Sequence, residues 1–385
     1  MKQSDIIVKT LFGLENVLAD ELNTLGLQEI AVLNRAVKCQ GTLEDIYAIN
    51  LRARTALKVL LPIAVFTADH EDELYHYLYR LRWFDYLSPQ QTFSIEATVS
   101  GDFFKHSKYI ALKTKDAIVD YFRNKIGKRP SVDTISPDIY FNIHIHQNMV
   151  TLSLDSTGQT LDRRGYRLQR NDAPLNEVLA AGILLLSGWD KKSTLYDPMC
   201  GSGTFSVEAA LMACRIPPGH LRSFAFQHWQ NFDSILWEKV KKEANDQIIE
   251  WDGQIYARDI DSRSIDITIQ NGTRAGVEDY IMVKKEDFFE SSPKGETGFL
   301  LFNPPYGERM RQDQIVDFYK QIGSHLKQYY QNHDAWIISS NMEAIKYFGL
   351  KPSKKMALYN GALPCKLQGY ELYKGSKRAP LLTEN

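Results

Sequence analysis

The segment Tyr196-Asp197-Pro198-Met199-Cys200-Gly201-Ser202-Gly203-Thr204-Phe205 carries an apolar strand into an acid, then into a glycine turn and a helix start. Glycines at 201 and 203 let the backbone approach a ligand lying at the carboxyl end of a strand. A phosphate loop of the G-x-x-x-x-G-K-[ST] type needs a Lys that does not follow Gly203, and a dinucleotide fingerprint needs a third glycine where Ser206 stands. S-adenosylmethionine has no phosphates to be cradled, and its ammonium group suits a carboxylate such as Asp197. On that reading Asp197, Met199, Cys200, Gly201, Ser202, Gly203 and Thr204 line one side of a cofactor site. Two later acids extend it. Asp259, with Asp261 as the second choice, ends the next apolar stretch, where a carboxylate can accept both ribose hydroxyls. Asp287 could accept the adenine amino group, with Phe288 stacking on the base.

Asn303-Pro304-Pro305-Tyr306 ends a further apolar stretch. An exocyclic amine on a base is a poor nucleophile, because its lone pair is delocalised into the ring. Hydrogen bonds from its two N–H groups to the Asn303 side-chain oxygen and the Pro304 carbonyl would draw it toward tetrahedral geometry and aim the lone pair at a methyl group. The prolines fix the backbone, Tyr306 can stack on a base taken out of its helix, and Asn303 would also border the cofactor. Guanine N2, adenine N6 and a protein glutamine amide are all substrates for this chemistry. A C5-pyrimidine methyltransferase would need a cysteine nucleophile, and the one Pro-Cys pair, Pro364-Cys365, lies in a terminal hairpin, so Cys365 reads as a core residue. A binding-only protein that keeps the fold is a further alternative.

The elements that must position these residues follow an α/β grammar from Ala173 onward. Strands are expected at Thr194–Tyr196, Ile255–Arg258, Ile281–Lys284, Phe299–Phe302 and Ala335–Ser340, with helices at Thr204–Ala213, Ser264–Arg274 and Ile315–Tyr329 and a closing hairpin. Before it, the first fifty or so residues read as a small α+β unit. A second α+β unit ends in a hairpin, Tyr140–His146 and Met149–Leu154, turning at Gln147 and Asn148. In Tyr140–His146, Phe141, Ile143 and Ile145 share one face, with Asn142, His144 and His146 on the other. The paired histidines lack a third ligand, so no metal is expected.

With 385 residues, 44% hydrophobic and 24% charged, the composition is that of a soluble globular enzyme of two or three domains. No apolar run is long enough for a membrane span, and the first ten residues lack a signal-peptide pattern, which points to the cytoplasm. Four scattered cysteines suit a reducing compartment. The net charge of −1 hides local basic clusters. Residues 105–129 carry Lys105, Lys108, Lys113, Lys115, Arg123, Lys125, Lys128 and Arg129 against Asp116 and Asp120. Arg163, Arg164, Arg167 and Arg170 form a second cluster, and Lys346 to Arg378 a third. Lys105, Lys108, Lys113, Lys115, Lys125, Lys128, Arg163, Arg164 and Arg167 are the candidates for holding RNA phosphates.

These motifs resemble those of class I methyltransferases that act on amino groups. More narrowly, Asp162-Arg163-Arg164-Gly165-Tyr166-Arg167, Ala173-Pro174-Leu175-Asn176-Glu177, Phe12-Gly13-Leu14-Glu15, Lys113–Asp120 and Pro130-Ser131-Val132-Asp133 resemble bacterial THUMP-domain RNA methyltransferases of the RlmL type. The resemblance covers essentially the whole chain. It implies a ferredoxin-like domain at 1–44, an RNA-gripping THUMP domain at 45–155 and a linker at 156–172. A Rossmann-like, seven-stranded methyltransferase domain at 173–385 would follow. It also implies S-adenosylmethionine as cofactor, a guanine N2 in 23S ribosomal RNA or a large-subunit precursor as target, and Ala173–Leu179 over the methionine end of the cofactor. Two departures stand out. The linker opens Asp162-Arg163 where the family has His-Lys, and the chain stops at Asn385 without a second methyltransferase half, so a single methylation is expected.

Overall fold

The computed structural model describes residues 3–167, 175–306 and 311–374, which fall into two compact units. The first comprises residues up to Leu11, Leu18–Arg163 and Arg222–Asp246. In chain order its elements are β1 (Ser4–Thr10), α1 (Glu15–Thr24), β2 (Gln28–Leu33), β3 (Ala36–Gly41), α2 (Leu43–Arg52), β4 (Ala56–Thr67), α3 (Glu71–Tyr79), β5 (Thr92–Ser100), α4 (Ser107–Ile126), β6 (Ser131–Val132), β7 (Ile139–His146) and β8 (Met149–Asp155). A single eight-stranded sheet, ordered β2-β3-β1-β4-β8-β7-β5-β6, runs through all of it. In β7, Phe141, Ile143 and Ile145 are buried and His144 and His146 exposed, as a period of two requires, but Asn142, expected on the outer face with the histidines, is buried at 1% exposure. Gln147 takes a positive φ of 54° in the expected turn to β8. Local chemistry sets helix ends: Thr42 and Asp45 form a capping box on α2, and Gly127 closes α4 in the left-handed conformation.

Two features depart from the sequence reading. A boundary at residue 44 would cut α2, and β1 to β4 belong to the same sheet as β5 to β8, so no break separates two small units there. Residues 222–246, expected within the methyltransferase domain, belong to the first unit. Their helix α7 (Ser234–Asn245) and the turn before it supply Phe226 and Trp237 to Tyr47 of α2, whose ring stacks on Phe226 at 4.2 Å. The Asp233 N–H donates to the Tyr47 hydroxyl, and Lys239 pairs with Glu44 at 2.7 Å. An aromatic-rich insertion is stable where it finds other rings, and Tyr47 is where it finds them.

The second unit comprises Phe12–Val17, Arg164–Leu221 and the chain from Gln247. Its elements are α5 (Glu177–Ser187), β9 (Leu195–Asp197), α6 (Thr204–Ala213), β10 (Ile255–Asp259), α8 (Ser262–Ala275), β11 (Ile281–Lys285), β12 (Gly298–Phe302), α9 (Gln312–Tyr329), β13 (His333–Ser339), β14 (Lys354–Asn360) and β15 (Leu363–Glu371). The expected seven-stranded sheet is present, ordered β11-β10-β9-β12-β13-β15-β14. The first five strands in that order are parallel, β15 is antiparallel to them, and β14, antiparallel to β15, runs parallel to the first five. The strand order reverses between β9 and β12, the place where open α/β sheets bind ligands. Leu300 pairs with Tyr196 across these strands, so the loops after Asp197 and Phe302 leave the same edge of the sheet. Among the described residues no helix is long and apolar enough to cross a membrane.

On the β12 side of this sheet, α9 packs closely on the turn after β13. A Cβ built on Gly323 would overlap the carbonyl oxygen of Phe348, a backbone atom that cannot swing aside. Gly323→Ala is therefore expected to destabilise the protein by about 2 kcal/mol, overpacking outweighing the gain in helix propensity. A melting temperature equal to or above wild type would contradict this packing.

Candidate active site

The glycine turn after β9 is held from two directions. The Gly201 N–H donates to Asp259 Oδ2 at 2.9 Å, and the Cys200 N–H to the Arg258 carbonyl at 2.8 Å, both at the end of β10. From α8, Thr268 Oγ1 donates to the Gly201 carbonyl at 3.0 Å and Asn271 Nδ2 to the Ser202 carbonyl at 2.8 Å. Gly201 and Gly203 have φ values of +55° and +73°. A side chain at 203 would strike Thr268, whereas a Cβ at 201 would meet nothing within 4 Å. Gly203 is thus needed for packing, and Gly201 faces open space on the ligand side. Cys200, Ser202 and Thr204 have buried side chains that shape the turn from behind, Cys200 lying 3.6 Å from the Thr268 hydroxyl. Met199 is half-buried.

Asp197 is only 1% exposed. Its Oδ2 accepts from the Ser206 hydroxyl at 2.8 Å, and its Oδ1 is buried with no hydrogen-bond partner. Burial pushes its carboxyl up to about 7, against the downward pull of Ser206. A buried carboxylate oxygen without a partner is costly, and an ammonium group placed there would satisfy it. The residues present therefore fit the methionine end of S-adenosylmethionine.

Asp259 accepts one backbone N–H on each oxygen, from Gly201 and from Asp261, and keeps lone pairs for ribose hydroxyls. Asp261 caps α8, accepting from the Arg263 and Ser264 N–H groups and from the Ser264 hydroxyl, so its carboxylate is engaged in the helix start. Asp287 accepts from the Phe289 N–H at 2.9 Å and is half-buried. Phe288 does not reach the site. It is 3% exposed and packs among Phe302, His325 and Tyr330, so its ring is unavailable to an adenine base. The apolar group at this strand edge is Ile260, 66% exposed beside Asp259. An apolar residue between two acids was the signal in the sequence.

Across the switch point, Asn303 and Tyr306 are half-buried, Pro304 is buried and Pro305 exposed. The Tyr306 hydroxyl donates to Asn303 Oδ1 at 2.6 Å, and burial raises its pKa. The Tyr306 carbonyl accepts from Asn341 Nδ2 at 3.0 Å, a contact no sequence motif marks. Cys365 is 1% exposed and burial pushes its thiol up, which removes it as a nucleophile.

The basic residues divide by environment. Arg164 is 2% exposed, with Nε 3.4 Å from Glu208 of α6, and Arg167 forms an ion pair with Glu177 and donates from Nη2 to the Leu175 carbonyl and the Thr204 hydroxyl. Both therefore brace the second unit and cannot serve RNA phosphates. The sequence cannot show that Glu177 and Glu208 meet them. Desolvation pushes the Glu177 carboxyl up to about 7, against the pull of Arg167. Arg163 is exposed. On and beside α4, Lys105 pairs with Asp102, Lys113 with Asp72, Lys115 with Asp116 and Arg123 with Asp120. Lys108, Lys125, Lys128 and Arg129 are exposed, with no ion pair among the described residues. Arg170, Ala173, Pro174, Lys377 and Arg378 lie outside the described residues.

Residues 164–369 match the methyltransferase domain described as RMKL-like, residues 68–155 the THUMP domain and residues 5–60 the RlmL ferredoxin-like domain. A Synechocystis protein provisionally named an RNA methyltransferase is 39% identical over 364 residues, covering 94% of this chain and 95% of its own length. The ribosomal RNA large subunit methyltransferase K/L of Shewanella amazonensis is 38% identical over 95% of this chain, which spans 53% of that relative. The crystal structure of SMU.472, provisionally named a methyltransferase and complexed with S-adenosylhomocysteine, superposes with a TM-score of 0.86. It is 31% identical, over 98% of this chain and 100% of that one. With its sheet order, its glycine turn and its matched domains, the chain belongs to the RMKL-like family of S-adenosylmethionine-dependent methyltransferases, among the RNA methyltransferases that carry a THUMP domain.

Proposed function

We propose that the protein methylates the exocyclic N2 of a guanine in 23S ribosomal RNA. The observation that carries this reading is the placement of Asn303 and Pro304 after β12, at the sheet edge where the Asp197 Oδ1 lacks a partner on neighbouring β9. Asn303 Oδ1 and the Pro304 carbonyl would accept the two amine hydrogens, which localises the nitrogen lone pair. S-adenosylmethionine supplies the electrophilic methyl group. Asp197 would hold the cofactor's ammonium, Asp259 its ribose and Asp287 the adenine amine. No strong base is required: the N–C bond would form as the methyl–sulfur bond breaks to leave the neutral thioether, and the acidic proton of the methylated amine would then be lost to water. The resemblance to RlmL-type enzymes supports guanine N2, and the name of the Shewanella relative supports large-subunit RNA.

The direct test compares nucleosides from 23S, 16S and transfer RNA of a strain lacking the gene, before and after addition of the purified protein. N2-methylguanine is expected to return in 23S RNA with wild type. With Asn303→Ala the rate is expected to fall on the order of 10²–10³-fold while cofactor affinity stays within about threefold. Return of N6-methyladenine instead would change the base, and unimpaired turnover by Asn303→Ala would reject the amine-acceptor role.

Cofactor affinity is also expected to depend on pH. Burial pushes the Asp197 carboxyl up to about 7, and only its charged form pairs with an ammonium. Affinity measured by calorimetry is therefore expected to rise from pH 5.5 to 7.5, below the range of about 7.7–8.0 where an α-amino group loses its proton. The Asp197→Asn protein should bind weakly with a flat profile; an equally steep rise would assign the titration elsewhere.

RNA affinity is expected to rest on the cations left without carboxylate partners. Replacing Lys108, Lys125, Lys128 and Arg129 with alanine should reduce the slope of log affinity against log salt by roughly 3. The ion-paired Lys113 and Lys115, replaced together, should change it by less than about 1. The reverse ranking in filter binding would place the phosphate track on another face.

A further inference from the structure

Asn341 lies just beyond β13 and reaches the Asn303–Tyr306 turn with one end of its carboxamide. Its Nδ2 donates to the Tyr306 carbonyl at 3.0 Å, and its Oδ1 accepts from the Ala344 N–H at 2.8 Å. Its own N–H donates to Ser339 Oγ at 3.0 Å, and that oxygen lies 2.6 Å from the Tyr319 hydroxyl. Ser339 and Tyr319 are fully buried, so Asn341 is anchored to the core of the sheet. Tyr306, fixed at its carbonyl, turns its hydroxyl onto Asn303 Oδ1 at 2.6 Å.

The consequence for Asn303 is orientational. The terminal torsion of an asparagine is broad, so a lone carboxamide does not choose which atom it presents. A carbonyl oxygen has two acceptor positions, and a hydroxyl donating to one of them fixes the direction of the other. We propose that Asn341 is a positioning residue: through the Tyr306 backbone and hydroxyl it aims the second acceptor position of Asn303 Oδ1 at the target amine. The inference rests on the reading of Asn303 as that acceptor. The titratable groups facing this turn, Tyr306, Tyr319 and Cys365, are kept neutral by burial, and Glu343 beside it is exposed and paired with Lys346.

Asn341→Asp separates the two ends of the carboxamide. It keeps the acceptor for Ala344 and loses the donor to Tyr306 while ionised, but a protonated carboxyl can donate again. With S-adenosylmethionine and large-subunit RNA from the deletion strain, the kcat of this variant at pH 8 should be about 30-fold below wild type, within the range for a misplaced catalytic group. KM for both substrates should stay within about threefold. The ratio of variant to wild-type kcat should rise as pH falls from 8 to 5.5. Wild-type kcat at pH 8, or a depressed ratio that is flat with pH, would overturn the proposal. If the variant does not fold, Tyr306→Phe decides, since it keeps the ring and removes the hydroxyl: a loss of kcat with KM retained supports the relay, and unchanged kcat overturns it. Asn303→Ala in the same assay distinguishes the failures. An active Asn303→Ala protein means that the acceptor reading has failed, whereas an inactive one beside a fully active Asn341→Asp means that only the positioning role has.

Discussion

The hydrogen bond from the Gly201 N–H to the Asp259 carboxylate joins the ends of two parallel strands, and the cofactor side of the site is arranged around it. A left-handed residue at 201 leaves its N–H pointing where a helical residue could not, and Asp259 is the acceptor that meets it. Thr268 and Asn271 close the same turn from α8, one helical step apart. Each such bond contributes about 1 kcal/mol net, and together they outweigh the tendency of a glycine-containing turn to sample other conformations. Fixing the turn leaves Asp197 beneath it, buried and with one oxygen unpaired. Folding alone does not resolve that cost. On the proposed reading an ammonium bound there would, and binding would then add to the protein's stability.

The two halves of the site are held by different means. On the β9–β10 side, the glycine turn is gripped by Asp259 at the end of the neighbouring strand and by Thr268 and Asn271 of α8. On the β12–β13 side, two prolines remove backbone freedom and a chain of side chains, Tyr319, Ser339, Asn341 and Tyr306, ties the turn to the core. The reversal of strand order between β9 and β12 brings both loops to one sheet edge, so neither half needs long connections to face the other.

What was legible in the sequence was whatever depends on near neighbours in the chain. The alternation of β7, the residue types of the glycine turn and the proline-fixed tetrapeptide can each be read within ten residues, although the bonds that hold the two turns come from Asp259, Thr268, Asn271 and Asn341. Phe288 was misread because an aromatic after an acid looks the same whether its ring turns to a ligand or to Phe302 and Tyr330. Arg164 and Arg167 looked like a basic track because their partners, Glu208 and Glu177, stand 44 and 10 residues away on separate helices. Half the lysine cluster proved neutralised, with Lys113 meeting Asp72 from another helix. Asn341 carried no signal, since a single asparagine after a strand has many uses. In each case the missing information was a pairing made by tertiary structure.

The insertion at 222–246 has a consequence for how the chain is made. Tyr47 of α2 leaves the ribosome early, yet the rings that cover it, Phe226 and Trp237, are synthesised only after α5, β9 and α6. Until then the first unit carries an uncovered aromatic surface, while the first strand of the second sheet is already out. The usual order, in which an N-terminal domain is finished before the next begins, is therefore closed to this protein. Its first unit must wait for a stretch of chain that lies inside the sequence of the second, and completion of one is tied in time to the partial folding of the other.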